Sequence, residues 1–84
     1  AVAGAAKALA LRQAFASNQF QDVVDQTRAT APMQATDEAA LLAFLSATKV
    51  KDTQAAGLWA AELLRRNPGE SYRKWINSIL AEAR

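Results

Sequence analysis

The stretch that decides the fold is Lys51-Asp52-Thr53-Gln54-Ala55-Ala56-Gly57-Leu58-Trp59-Ala60-Ala61-Glu62-Leu63-Leu64-Arg65-Arg66-Asn67-Pro68. It holds the start, middle and end of one helix. Asp52 is placed to accept a hydrogen bond from the first turn as an N-cap. Ala56, Trp59, Ala60, Leu63 and Leu64 recur at the spacing of a buried helical stripe. Arg65 and Arg66 complement the negative end of the helix dipole, and Pro68 stops the helix. Gly57 costs about 1 kcal/mol against alanine within a helix, so it marks either a close approach by a neighbouring helix or a neutral surface position. The segment reads as the second half of a helix–turn–helix unit.

Working outward, the pattern predicts five helices, over about 3–17, 19–31, 37–50, 53–66 and 68–83. In the first, Gly4, Ala8, Leu11 and Phe15 share a face, with Leu9 beside them. Asn18 is placed to cap the second, with Gln21 three residues later where it can reach back. Phe20, Val23, Val24 and Thr27 form that helix's apolar stripe, and Pro32 ends it. Residues 31–35 form the longest loop. Thr36 is an N-cap candidate, followed by Asp37 and Glu38 where the dipole favours negative charge. Residues 39–45 are apolar on nearly every side, which predicts a third helix central to the packing. Asn67, Pro68 and Glu70 read as the reciprocal cap of a fifth helix whose stripe is Tyr72, Trp75, Ile76, Ile79 and Leu80. Links of a few residues force neighbouring helices antiparallel. The expected architecture is therefore one all-α domain over residues 1–84: two stacked helical hairpins plus a C-terminal capping helix.

Composition agrees. Apolar residues make up 51% of the 84, enough for a folded core. Alanine accounts for 21 of them, which favours helix and close helix–helix approach. The chain has no cysteine and no histidine. That removes disulfides, thiolate zinc sites, cysteine nucleophiles and the usual general base at neutral pH. No apolar run reaches the ~20 residues of a membrane span. The first residues, Ala1-Val2-Ala3, suit either the edge of a domain in a longer array or the product side of a signal-peptide cut; the array is the expectation. Cytoplasmic and periplasmic locations fit equally.

The second and fourth helices each follow a short polar turn and each lead to a proline. Aligning Asn18-Gln19-Phe20 with Lys51-Asp52-Thr53 gives an offset of 33 residues, and Pro32 and Pro68 lie 36 apart. Both are near the ~34-residue period of tetratricopeptide repeats. The segment from Asp52 to Pro68 resembles the second helix of such a repeat: Ala56 stands at the small-residue position, Ala60 where an aromatic is common, Leu63 at another small position and Pro68 at the closing proline. The first-helix signature would fall on Ala40, Ala43, Phe44 and Ala47, and departs from it. In the first unit Val23 and Thr27 replace the small and aromatic residues. The resemblance implies a protein–protein scaffold whose groove, lined by the first helix of each unit, takes a peptide or partner helix. Carried onto this chain, that groove draws on Arg12, Gln13, Ser46 and Lys49. Apolar surface at the ends of such a module could also drive self-association.

Chemistry finds little foothold. Asp22 and Asp25 are neighbours at i, i+3, but nothing apolar surrounds them to separate their acidities. Asp37, Glu38 and Asp52 read as helix-end residues. No zinc spacing, EF-hand loop, phosphate loop or nucleophile elbow is present, so neither catalysis nor a cofactor is expected. Trp59 and Trp75 lie on apolar stripes and are expected in the core. After residue 64 the charges are mostly basic: Arg65, Arg66, Arg73, Lys74 and Arg84 against Glu70 and Glu82. The first four offer an alternative function, a small nucleic-acid-binding domain. A net charge of only +2 weighs against it.

Overall fold

The computed structural model describes the backbone of residues 2–83 and the side chains of residues 9–83. The expected face through Gly4 and Ala8, and the charge at Arg84, lie outside what is described. Five α-helices follow one another: α1 (Val2–Ala16), α2 (Phe20–Arg28), α3 (Asp37–Lys49), α4 (Thr53–Arg66) and α5 (Glu70–Ala83). A 3-10 turn, Pro32–Gln34, sits between α2 and α3, inside the segment expected to be loop. The described residues contain no strand.

Two of the expected caps form. The Thr36 hydroxyl oxygen and Asp52 Oδ1 each accept the amide three residues on, from Ala39 and Ala55, at 3.1 Å. Two do not. Asn18 does not start α2; it ends α1, with φ of 61°. The Asn18 amide donates to the Phe15 carbonyl at 3.1 Å and the Gln19 amide to the Ala14 carbonyl at 2.8 Å. This is a Schellman closure, and asparagine is among the few residues that tolerate its left-handed position. Gln19 then precedes α2 with no side-chain cap, and Gln21 bonds Asp25 instead. Asn67 likewise closes α4 rather than opening α5: its amide and its Nδ2 both donate to the Leu63 carbonyl, at 2.9 and 3.2 Å. The start of α5 shifts to Glu70, whose carboxylate lies 3.6 Å from Lys74.

The turn after α3 repeats the one after α1. Lys51 has φ of 60°, its amide donates to the Thr48 carbonyl at 3.2 Å, and the Asp52 amide donates to the Ala47 carbonyl at 2.9 Å. Equivalent bonds thus recur at the sequence offset that aligns Asn18 with Lys51. The second helix is shorter than expected, ending at Arg28 rather than Ala31. Pro32 forces Ala31 into an extended conformation (ψ 130°), so the helix must unwind ahead of it.

The third helix is central: α3 packs against α1, α2, α4 and α5. Phe44, Ala40 and Ala43 of α3 meet Trp59, Ala60 and Leu63 of α4 and Ile76 of α5 in the main core. Full burial of a side chain such as Phe44 contributes ~1.5–3 kcal/mol. A thinner cluster of Leu11, Ala14 and Val23 joins α1 and α2, with Ala39 and Leu42 of α3 against it. Val24, Ala47 and Ala56 form a third cluster, where small side chains let helices meet closely.

Trp59 is buried as expected, but Trp75 is 41% exposed. The buried line of α5 is centred on Ile76, with Tyr72, Ile79 and Leu80 half-buried around it. A residue one step along a helix is turned by about 100°, which carries Trp75 off that line. Its ring lies 5.5 Å from that of Tyr72. Gly57 is exposed, and a methyl group there would meet nothing within 4 Å, so no helix presses on it. The adjacent Ala56 makes the close contact.

Candidate partner-binding surface

A cleft of about 320 Å³ runs between α3 and α5, lined by Leu45, Thr48 and Lys49 on one side and Ile79 and Glu82 on the other. The Thr48 hydroxyl donates to the Leu45 carbonyl at 2.6 Å and is occupied within its own helix. Lys49 and Glu82 stand on opposite walls, and neither is ion-paired among the described residues. Trp75, Ile79 and Glu82 follow i, i+4, i+7 and so share one edge of α5. The cleft therefore has aliphatic walls and one charge of each sign, and the exposed Trp75 stands one turn before Ile79 on the same edge of α5. Sequence reasoning found Lys49 but missed Leu45 and Ile79, since both also fit an ordinary core stripe.

The other expected groove residues divide. Arg12 is exposed and bonds through Nε to Glu38, tying α1 to α3; this carboxylate holds the guanidinium above its usual range. Gln13 is exposed on α1. Ser46 is not a groove residue: it is fully buried, and its hydroxyl has no hydrogen-bond partner among the described residues. Ser46 lies on the face of α3 that carries Ala39 and Leu42, which pack toward α1 and α2, while Lys49, one turn later at the end of the helix, is exposed.

The basic cluster is also divided. Arg66 is largely buried, its side chain 15% exposed. Its Nε donates to Glu62 Oε2 at 2.6 Å, Nη1 to Asp37 Oδ1 at 2.9 Å, and Nη2 to the carbonyls of Pro32 and Ala35 at 2.9 and 2.7 Å. Arg65 donates to the same Glu62 from Nη2 at 2.6 Å and Nε at 3.3 Å. Arg73 is exposed and unpaired among the described residues, and Lys74 is exposed near Glu70. The four cations therefore do not present one free patch, because Arg66 is spent inside the fold.

Glu62 is the functional-looking residue that sequence reading passed over. Its side chain is buried, yet hydrogen bonds from Arg65, then Arg66, hold the carboxyl below the usual carboxylate range and outweigh the opposing effect of burial. Its spacing to Arg65 and Arg66, i+3 and i+4, was the available signal. Sealed by two guanidiniums, it is an ionised anchor and a poor proton donor. The Tyr72 phenol is pushed up by burial and by the charge of Asp37.

Two further hollows lie elsewhere. One, of about 630 Å³, is lined by Arg28, Asp52, Gln54, Ala55 and the exposed Leu58, with Arg28 and Asp52 at 3.6 Å. Another, of about 330 Å³, lies between Val50 and the start of α2. No helix is long and apolar enough to cross a membrane, and no group of three metal-ligating side chains occurs, among the described residues. Comparison of the chain with known protein families, with characterised proteins and with solved structures found no match.

Proposed function

We propose that this chain is a non-catalytic protein–protein interaction module, a TPR-like stack of two helical hairpins capped by α5, which holds a partner peptide or helix in the cleft between α3 and α5. The observation that carries this reading is the recurrence of the helix-closing turn, with the same hydrogen bonds at Asn18–Gln19 and Lys51–Asp52. The packing order supports it too. Each helix lies against the next, and α1 meets α3 as α3 meets α5. Hairpins stacked side by side have that adjacency, with the first helices of successive units forming one face. The cleft suits an apolar side chain flanked by an acid, to meet Lys49, and a base, to meet Glu82.

The test is affinity for a candidate protein partner, measured with a Leu45→Glu/Ile79→Glu double variant and with Gln26→Glu on the exposed side of α2. Binding should weaken about ten-fold or more in the first and stay unchanged in the second, with helical circular dichroism retained in both. Equal binding by the cleft variant would remove the cleft from the reading. Tight, salt-sensitive binding of duplex nucleic acid, abolished by Arg73→Glu/Lys74→Glu, would replace it with the alternative.

A further inference from the structure

We infer that Arg66 is a latch that holds the α2–α3 connector shut against the end of α4, so that the connector keeps its closed arrangement only while this guanidinium is engaged. Its four bonds reach four acceptors: the Pro32 and Ala35 carbonyls in the connector, Asp37 at the first position of α3, and Glu62 one turn back on its own helix. A planar, rigid fork can serve acceptors so spread; an ammonium on a flexible stem cannot. Arg65 grips Glu62 as well, so the carboxylate that aims Arg66 is itself held in place.

The connector has slender means of its own. Ala31 provides no side-chain cap for the 3-10 turn. Pro32 has no N–H to offer. The turn rests on the Gln34 amide bonding the Ala31 carbonyl at 2.9 Å and the Ala35 amide bonding the Pro32 carbonyl at 3.2 Å. Of the two carbonyls facing α4, that of Pro32 also accepts from the Ala35 amide, but among the described residues that of Ala35 accepts from Arg66 alone, and a part-buried carbonyl left unpaired is costly. Without the guanidinium, the connector must shift to give the Ala35 carbonyl another partner, water. The closed and open arrangements are thus separated by one side chain that lies about thirty residues away in sequence.

Amide hydrogen exchange of the full chain tests the latch. In Arg66→Lys, exchange at Gln34 and Ala35 should speed up by about ten-fold or more, while Lys51 and Asp52, in the duplicate turn, keep their wild-type rates. Arg65→Ala, which removes a partner of Glu62 but no contact with the connector, should leave Gln34 and Ala35 slow. If Arg66→Lys does not fold, Asp37→Ala reads the same difference more weakly, since it removes one of the four acceptors. Unchanged exchange at Gln34 and Ala35, uniform acceleration at all four amides, or equal loosening by Arg65→Ala would each overturn the latch.

Discussion

The turn closing α1 and the turn closing α3 share one backbone geometry, yet the helices around them are secured by different means. On the α1–α2 side the buried set is Leu11, Ala14 and Val23, with Phe15 and Phe20 half-exposed and touching edge to face at 5.3 Å. On the α3–α4 side Phe44, Trp59, Leu63 and Ile76 build a larger core, and the Glu62–Arg66 network adds an ionic seal. Local backbone chemistry can therefore be duplicated while packing is not. The thinner half leans on α3, whose Ala39 and Leu42 complete its core.

The comparison breaks most visibly in the core. Phe44→Ala should destabilise by ~3–5 kcal/mol, and its counterpart Leu11→Ala by ~2–3 kcal/mol, because the thinner side can collapse further into the space left. Equal losses in chemical denaturation would mean that the two halves carry equal weight. Next is acidification. The folded Glu62 carboxyl sits below its unfolded value of about 4.3, so its stabilising effect is full above that pH and fades as pH falls through the depressed folded value. Thermal melts between neutral and strongly acidic pH should therefore fall less steeply for Glu62→Gln than for the wild type. Parallel curves would remove the ionic seal from the account.

A smaller effect separates the two turns. Lysine in the left-handed region is strained where asparagine is tolerated, so Lys51→Gly should stabilise by ~0.5–1 kcal/mol and Asn18→Gly by close to nothing. Denaturation midpoints that move together would show that the turns store equal strain. On the exposed edge of α5, Trp75→Ala should alter stability by under ~1 kcal/mol, against ~3–5 kcal/mol for the buried Trp59→Ala. A large loss from Trp75→Ala would place that ring in the core after all.

Much of this was legible in order. Proline, the polar turns and the apolar spacing placed all five helices, and Thr36 and Asp52 were identified as caps from their position alone. Asn18 and Asn67 close helices where the pattern predicts that they open them, because asparagine serves equally before a helix and after one. Which role it takes depends on whether the preceding helix needs closing there. Trp75 and Ser46 depart from the expected faces for another reason. A stripe specifies a buried arc, and only the neighbours decide how wide that arc is.

Near-neighbour propensities and periodicity along the chain suffice for its all-helical character, for the position of each helix to within a turn, and for the central place of α3. The tertiary structure alone decided that Arg66 faces inward, that Glu62 is a buried anchor, and that Leu45 and Ile79 line one cleft. Those outcomes join residues some thirty positions apart, and no local pattern records which distant carbonyl or side chain will arrive to meet them.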